Sequence, residues 1–184
     1  MSGRLILASA SSRRAELLTQ VGLTPDKIIA PSINENPSPE ETPRQLASRL
    51  ACVKSQHVAK FFPNDFVLAA DTVVACGRRI LDKAKTTSEA ATHLKLLSGR
   101  RHRVYSGVAL VLPNGSIRSR YVMTQVAFKR LQKSEIKTYL ESGEWRDKSG
   151  AYAIQGLAGA FVKRIKGSYS NIVGLPLFET LALL

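Results

Sequence analysis

The sequence predicts a mixed α/β fold, and three observations carry that expectation. Residues 66–76 (Phe-Val-Leu-Ala-Ala-Asp-Thr-Val-Val-Ala-Cys) are apolar at almost every position, the pattern of a central strand buried on both faces. Two helix starts carry capping-box spacing, Thr42 with Gln45 and Thr86 with Glu89. Pro113-Asn114-Gly115 separates two long strand candidates and reads as a hairpin turn. These elements do not alternate as regular βαβ units, so a mixed sheet is favoured over a plain doubly wound one.

In chain order, residues 4–10 read as a strand and 12–21 as a helix closed by Gly22. A short strand is expected at 27–31. The polar stretch from Pro31 to Pro43 carries four prolines and reads as a loop. Pro43 suits a first helical position, and Leu46, Leu50, Val53 and His57 continue at helical spacing to about residue 61. Lys54 lies beside that inner stripe. After the 66–76 strand, Gly77-Arg78-Arg79 turns the chain and Ile80-Leu81 can pair briefly. A helix follows from Thr86 through Leu97, closed by Gly99, then strands at 103–112 and 116–130. A short helix is expected from Ser134 to Leu140, a loop from Gly143 to Gly156, and a strand at 160–166. Gly167–Asn171 reads as a turn before a terminal helix from Leu175 to Leu183. No internal repeat or low-complexity tract is present.

Composition narrows the function. The chain has 184 residues and 44% hydrophobic content, enough for one domain with a sizeable core. No apolar run approaches the roughly 20 residues of a membrane span, and the N-terminus lacks a secretory pattern, so a cytoplasmic location is expected. Cys52 and Cys76 have no Cys or His at metal-ligand spacing, and His57, His93 and His102 are scattered, which argues against zinc. The net charge of +13 favours an anionic partner. The basic residues, including Arg100, Arg101 and Arg103, recur along the chain rather than forming a tail, as on a folded, anion-facing surface.

Several residues stand out chemically. Leu5–Ala8 ends in Ser9-Ala10-Ser11-Ser12 and then Arg13-Arg14, where a helix can begin. Small side chains let a ligand reach the backbone, and a helix start with two guanidinium groups makes a plausible phosphate cradle. Asp71 interrupts the apolar strand, and a buried lone carboxylate is costly unless paired, metal-bound or protonated. It reads either as a structural ion pair or as a metal ligand or general base at a strand end facing a cleft. Lys54, Lys83 and Lys85 are candidate phosphate contacts, and Glu35 a second carboxylate near a metal. Gln155, in the small-residue loop Gly150–Gly156, could read a base edge. Asp147-Lys148 reads as an ordinary surface pair.

Together these segments resemble the Maf nucleotide pyrophosphatases, in particular the branch acting on dTTP and UTP. The resemblance rests on Leu7–Arg14, Arg49-Leu50-Ala51 with Lys54, Leu68–Val74, Ile80–Lys83, Leu97–Arg100, Asp147–Gly156 and Gly167–Pro176, and covers about residues 5 to 180. It implies one domain over residues 1–184, with a fold similar to the inosine-triphosphate pyrophosphatases: an elongated mixed β-sheet flanked by helices, two lobes around a cleft. It implies hydrolysis of a nucleoside triphosphate to monophosphate and pyrophosphate with Mg²⁺ or Mn²⁺, and a possible homodimer. Asp71 falls on the catalytic aspartate, and Arg13, Thr72 and Gln155 on positions linked to the dTTP/UTP preference. Ser9, Arg14, Lys54 and Lys83 match expected phosphate contacts, and Asp71 with Glu35 would hold the metal.

Three residues depart from the family pattern. Ser12 and Ala84 stand where proline is usual, and Asn34 where an aspartate commonly precedes Glu35. The prolines would stiffen their loops, and the aspartate would add charge near the metal. The competing expectations are a non-catalytic basic protein that binds nucleotides or nucleic acid, and a septum-related regulator. Nucleic acid is disfavoured because the aromatics form no interleaved stacking platform along the sequence.

Overall fold

The apolar run that interrupts itself only at Asp71 and Thr72 forms the central strand of the protein, β3 (Phe66–Cys76). The computed structural model describes residues 3–184, and among these seven strands make one mixed sheet. Strands β1 (Leu5–Ala8) and β2 (Lys27–Ile29) lie parallel on one side of β3. On the other side follow β5 (Arg101–Val111), β6 (Ile117–Phe128) and β7 (Val162–Lys166), all antiparallel. Strand β4 (Arg79–Leu81) pairs with the C-terminal end of β3.

The helices are α1 (Ser12–Gln20), α2 (Pro43–Ala59), α3 (Thr87–Leu97), α4 (Lys133–Ser142), α5 (Tyr169–Val173) and α6 (Leu177–Leu181). Helix α2 starts as its sequence specifies: the Thr42 side chain accepts from the Gln45 amide and the Gln45 side chain accepts from the Thr42 amide. The corresponding box on α3 is only half made. Thr86 accepts from the Glu89 amide, but the Glu89 carboxylate turns to the Lys85 amide at 2.7 Å. Two C-terminal boundaries also differ from expectation. Residues 157–161 form a 3-10 turn before β7 begins at Val162. The single terminal helix expected from Leu175 is instead two short ones, α5 starting at Tyr169 and α6 at Leu177. Gly174 (φ +135°) and Pro176 interrupt helical hydrogen bonding between them.

The two largest of four apolar clusters lie toward opposite ends of the sheet. One joins α1 to Leu7, Leu68, Val108, Leu110, Leu175 and Leu183. The other gathers α3, α4 and the C-terminal ends of β3 and β6 around Leu94, Val104, Phe128, Trp145, Tyr152 and Phe161. These match the expected two lobes. Among the described residues, no helix is long and apolar enough to cross a membrane.

Helix α2 crosses the strands of one sheet face along a single register row, Asp71–Gly107–Tyr121. Arg44 lies over the Tyr121 ring at 3.7 Å, Ala47 sits on Gly107, and Lys54 reaches Asp71. The row needs glycine at its centre, because a Cβ on Gly107 would collide with the Ala47 carbonyl oxygen.

Candidate active site

A cavity of about 800 Å³ opens where β1, β3, β4 and the 147–155 loop converge. It lies within the usual size of small-molecule sites. Its lining includes Ser9, Arg13, Arg14, Glu35, Lys54, Asp71, Thr72, Lys83 and Gln155, so every site residue singled out in the sequence meets at one place.

The first wall is the β1–α1 turn. The Ser9 hydroxyl oxygen accepts from the Ser11 amide at 3.1 Å and from Arg14 Nη1 at 3.0 Å. Ser11, the residue before α1, makes no side-chain capping bond, and the first turn of α1 has no acidic residue. The helix N-terminus therefore keeps its positive end toward the cavity. Arg13 is half-buried there, and burial lowers its pKa against the opposing fields of Glu16 and Asp147.

Arg14 is held rather than free. It donates to the Gly174 carbonyl at 2.9 Å, to Ser9, and more distantly to Thr72 Oγ1 at 3.4 Å. Burial depresses its pKa and the Asp71 charge opposes that. A guanidinium with three hydrogen-bond partners orders the turn and contributes positive field; it acts less as a mobile phosphate hook. Thr72 belongs to the same network, with its hydroxyl 3.0 Å from Ser106 Oγ.

Asp71 is the sixth residue of β3 and 7% exposed, so it sits mid-strand and not at a strand end. The cavity opens where the edge of β3 lacks a neighbour, between its last pairing with β1 at Leu68 and its first with β4 at Val74, which is how a mid-strand side chain reaches it. Lys54 Nζ donates to Asp71 Oδ1 at 2.6 Å and stands 3.0 Å from Glu35 Oε1. Lys54 is thus committed to two carboxylates and is not an open phosphate contact. Asp71 is ion-paired and also faces the cavity.

Asp71 and Glu35 converge on one cationic centre and present hard oxygen donors, which suits a divalent cation that takes its remaining ligands from phosphate and water. Among the described residues no group of three or more His, Cys, Asp or Glu side chains could hold a metal without such help.

The opposite wall is cationic. Lys83 is exposed and bridges to Ser149, the Gly150 amide donates to the Leu81 carbonyl at 2.8 Å, and Ser149 Oγ donates to the Thr72 carbonyl. These bonds lace the β4 arm to the 147–155 loop. Lys148 belongs to the cavity as well, although the sequence presents it as half of a surface pair. Burial first, then the neighbouring Arg13 charge, push its ammonium pKa down. The one available signal was its position beside the small-residue loop. That loop is backbone-strained: Asp147 (φ +56°) and Ala151 (φ +58°) adopt left-handed conformations around Gly150. Gln155 is exposed at the rim.

The three unusual residues leave the site formed. Ser12 opens α1 at the position where proline would fit. Asn34 Oδ1 accepts from the Asn36 amide at 3.0 Å, and Ala84 is buried in the larger core.

The chain matches the family described as Maf-like protein over residues 4–184. A relative from Mesorhizobium japonicum named dTTP/UTP pyrophosphatase is 56% identical over 187 residues, covering 98% of this chain and 90% of its own length. Another of that name, from Caulobacter vibrioides, is 56% identical over 180 residues, covering 98% and 93%. Among solved structures, a HAM1 protein from Coxiella burnetii shares the fold at a TM-score of 0.50 and 18% identity, over 71% of this chain and 75% of that one.

Proposed function

The chain belongs to the Maf family, and from that premise we propose that it hydrolyses dTTP and UTP to the nucleoside monophosphate and pyrophosphate. The observation that carries the proposal is the convergence of the Asp71–Lys54–Glu35 cluster with a cationic wall in one cavity of triphosphate scale.

Water attacks the α-phosphorus and the α–β anhydride bond breaks. Lys54 holds Asp71 Oδ1, so the second carboxylate oxygen is the one that orients the water and takes its proton. Lys83 and Lys148 offset the charge that grows on the departing pyrophosphate, and Arg14 with Ser9 fixes the turn that presents the α1 amides. Asp71 and Glu35 would hold Mg²⁺ or Mn²⁺, which when bound supplies further neutralisation of phosphate charge.

At the base end, Gln155 offers an amide donor and acceptor, Thr72 a fixed hydroxyl and Arg13 a donor, the complement of a pyrimidine edge. Polar groups left unpaired by another base would reject it. The single sheet supports reading residues 1–184 as one unit. The resemblance supports a homodimer.

The test is pyrophosphate release from each common nucleoside triphosphate with Mg²⁺ or Mn²⁺. Turnover of dTTP and UTP above the purine nucleotides is expected; release from none of them overturns the reading.

A further inference from the structure

Between Ala90 and Ser134 the chain carries nine Lys and Arg residues and no Asp or Glu. The sheet concentrates part of this excess on one face. Beyond the row covered by α2, successive register rows on the same face are Val73–Tyr105–Met123, Ala75–Arg103–Gln125–Lys166, and Arg101–Ala127–Arg164. Directly paired residues share a face, so Arg101, Arg103, Arg164 and Lys166 project together. All four are exposed, as is Met123, while Tyr105, Gln125 and Ala127 are half-buried. None of the four makes an ion pair with a described residue. The opposite face of these strands carries His102, Val104, Val126 and Phe128 into the larger core; on this face only the Val73–Tyr105 edge packs, against Leu46 and Leu50 of α2, and the rows beyond it are bare.

We propose that this bare sheet face binds single-stranded nucleic acid, at a surface distinct from the cavity. Four cations without counter-ions, on strands that contribute no carboxylate, complement a repeating anion. Cations two residues apart along β5 and β7 are spaced about 7 Å, and the two strands, with β6 between them, about 10 Å, a grid that follows a flexible phosphate backbone. Between the cations lie the amide of Gln125 and the methyl of Ala127, and the thioether of Met123 and the phenol of Tyr105 occupy the next row toward α2. At the margin Arg44 stacks on Tyr121. Such uncharged and planar groups suit bases splayed from a single strand better than they suit acidic side chains. Strands β5, β6 and β7 form a three-stranded surface, broader than the helix or two-stranded ribbon that enters a major groove, so a single strand is favoured over a duplex. The stacking partners are dispersed in sequence, which is why no platform is visible before the strands are placed in register.

The experiment is fluorescence anisotropy of a labelled oligouridylate of about 12 nucleotides against the full chain, over a salt series. Saturating UTP and the Asp71→Asn background keep the cavity filled and the nucleotide intact. Four phosphate contacts predict a slope of about −3 in log K against log salt. Removing two, with Arg103→Gln/Lys166→Gln, should lower it to about −1.4 and weaken binding at least tenfold at low salt, with UTP turnover by the otherwise wild-type chain unchanged. Arg101→Gln/Arg164→Gln should act likewise, so one poorly folding variant does not decide the outcome. Unchanged affinity and slope in both double variants overturn the proposal. So do displacement by saturating UTP, which would place the strand in the cavity, and equal affinity for polyglutamate or for a duplex.

Discussion

The cavity and the bare face belong to the same sheet and handle charge in opposite ways. Around Asp71 the buried charges are answered: Lys54 lies between two carboxylates, and the Arg14 guanidinium has three hydrogen-bond partners. Across β5–β7, Arg101, Arg103, Arg164 and Lys166 have no described partner. Burial is the physical reason. A charge under a helix must be paired, whereas a solvated one is tolerated and is free to bind something else. The cavity therefore depends on geometry, and the open face only on the sum of its charges.

The largest expected effect breaks one region and spares the other. Asp71→Asn should lower kcat for dTTP by about 10²–10⁴, the range for loss of a general base, and leave oligonucleotide binding intact. Next is Lys54→Met, which strands the Asp71 carboxylate. Loss of one partner from a buried pair costs about 3–5 kcal/mol, and the exposed Glu35 side of this cluster places the expectation near the lower bound. Denaturant unfolding should record it.

An acid titration probes beneath the bare face. His102 is buried on β5, with Nε2 2.8 Å from the Tyr152 hydroxyl, and burial lowers its pKa from 6.5 to about 4. Between those values the unfolded chain binds more protons than the folded one. The His102 contribution is therefore complete above pH 6.5 and is lost as pH falls toward 4. The difference amounts to about 3 kcal/mol. His102→Leu should flatten this part of the stability–pH curve.

Gly107→Ala tests the seating of α2. The added methyl has backbone against it, so α2 must lift. A cost of about 2 kcal/mol is expected, with a fall in kcat as Lys54 draws away from Asp71. The smallest effect belongs to Arg101→Gln: Tm should move by less than about 2 °C, upward because self-repulsion falls.

How much of this was readable in the sequence depended on the range of the interactions. The bounds of β3 and the Thr42 cap of α2 follow from local patterns and were legible. Asp71 stood out because a carboxylate in an apolar strand is a local contradiction. Its partner did not: Lys54 meets Asp71 only after α2 has crossed β3, and Gly107, which permits that crossing, lies on a third element. The half-made cap at Glu89 and the split at Gly174 reflect competition between nearby hydrogen bonds that residue type alone does not resolve. Lys148 and the bare face were hidden for the same reason as Lys54, since each is defined by register between distant strands or loops.

The most direct test measures steady-state pyrophosphate release from dTTP by three proteins: wild type, Asp71→Asn and Arg103→Gln/Lys166→Gln. The expected result is that turnover collapses only in the Asp71 variant. Undiminished turnover in Asp71→Asn would contradict it.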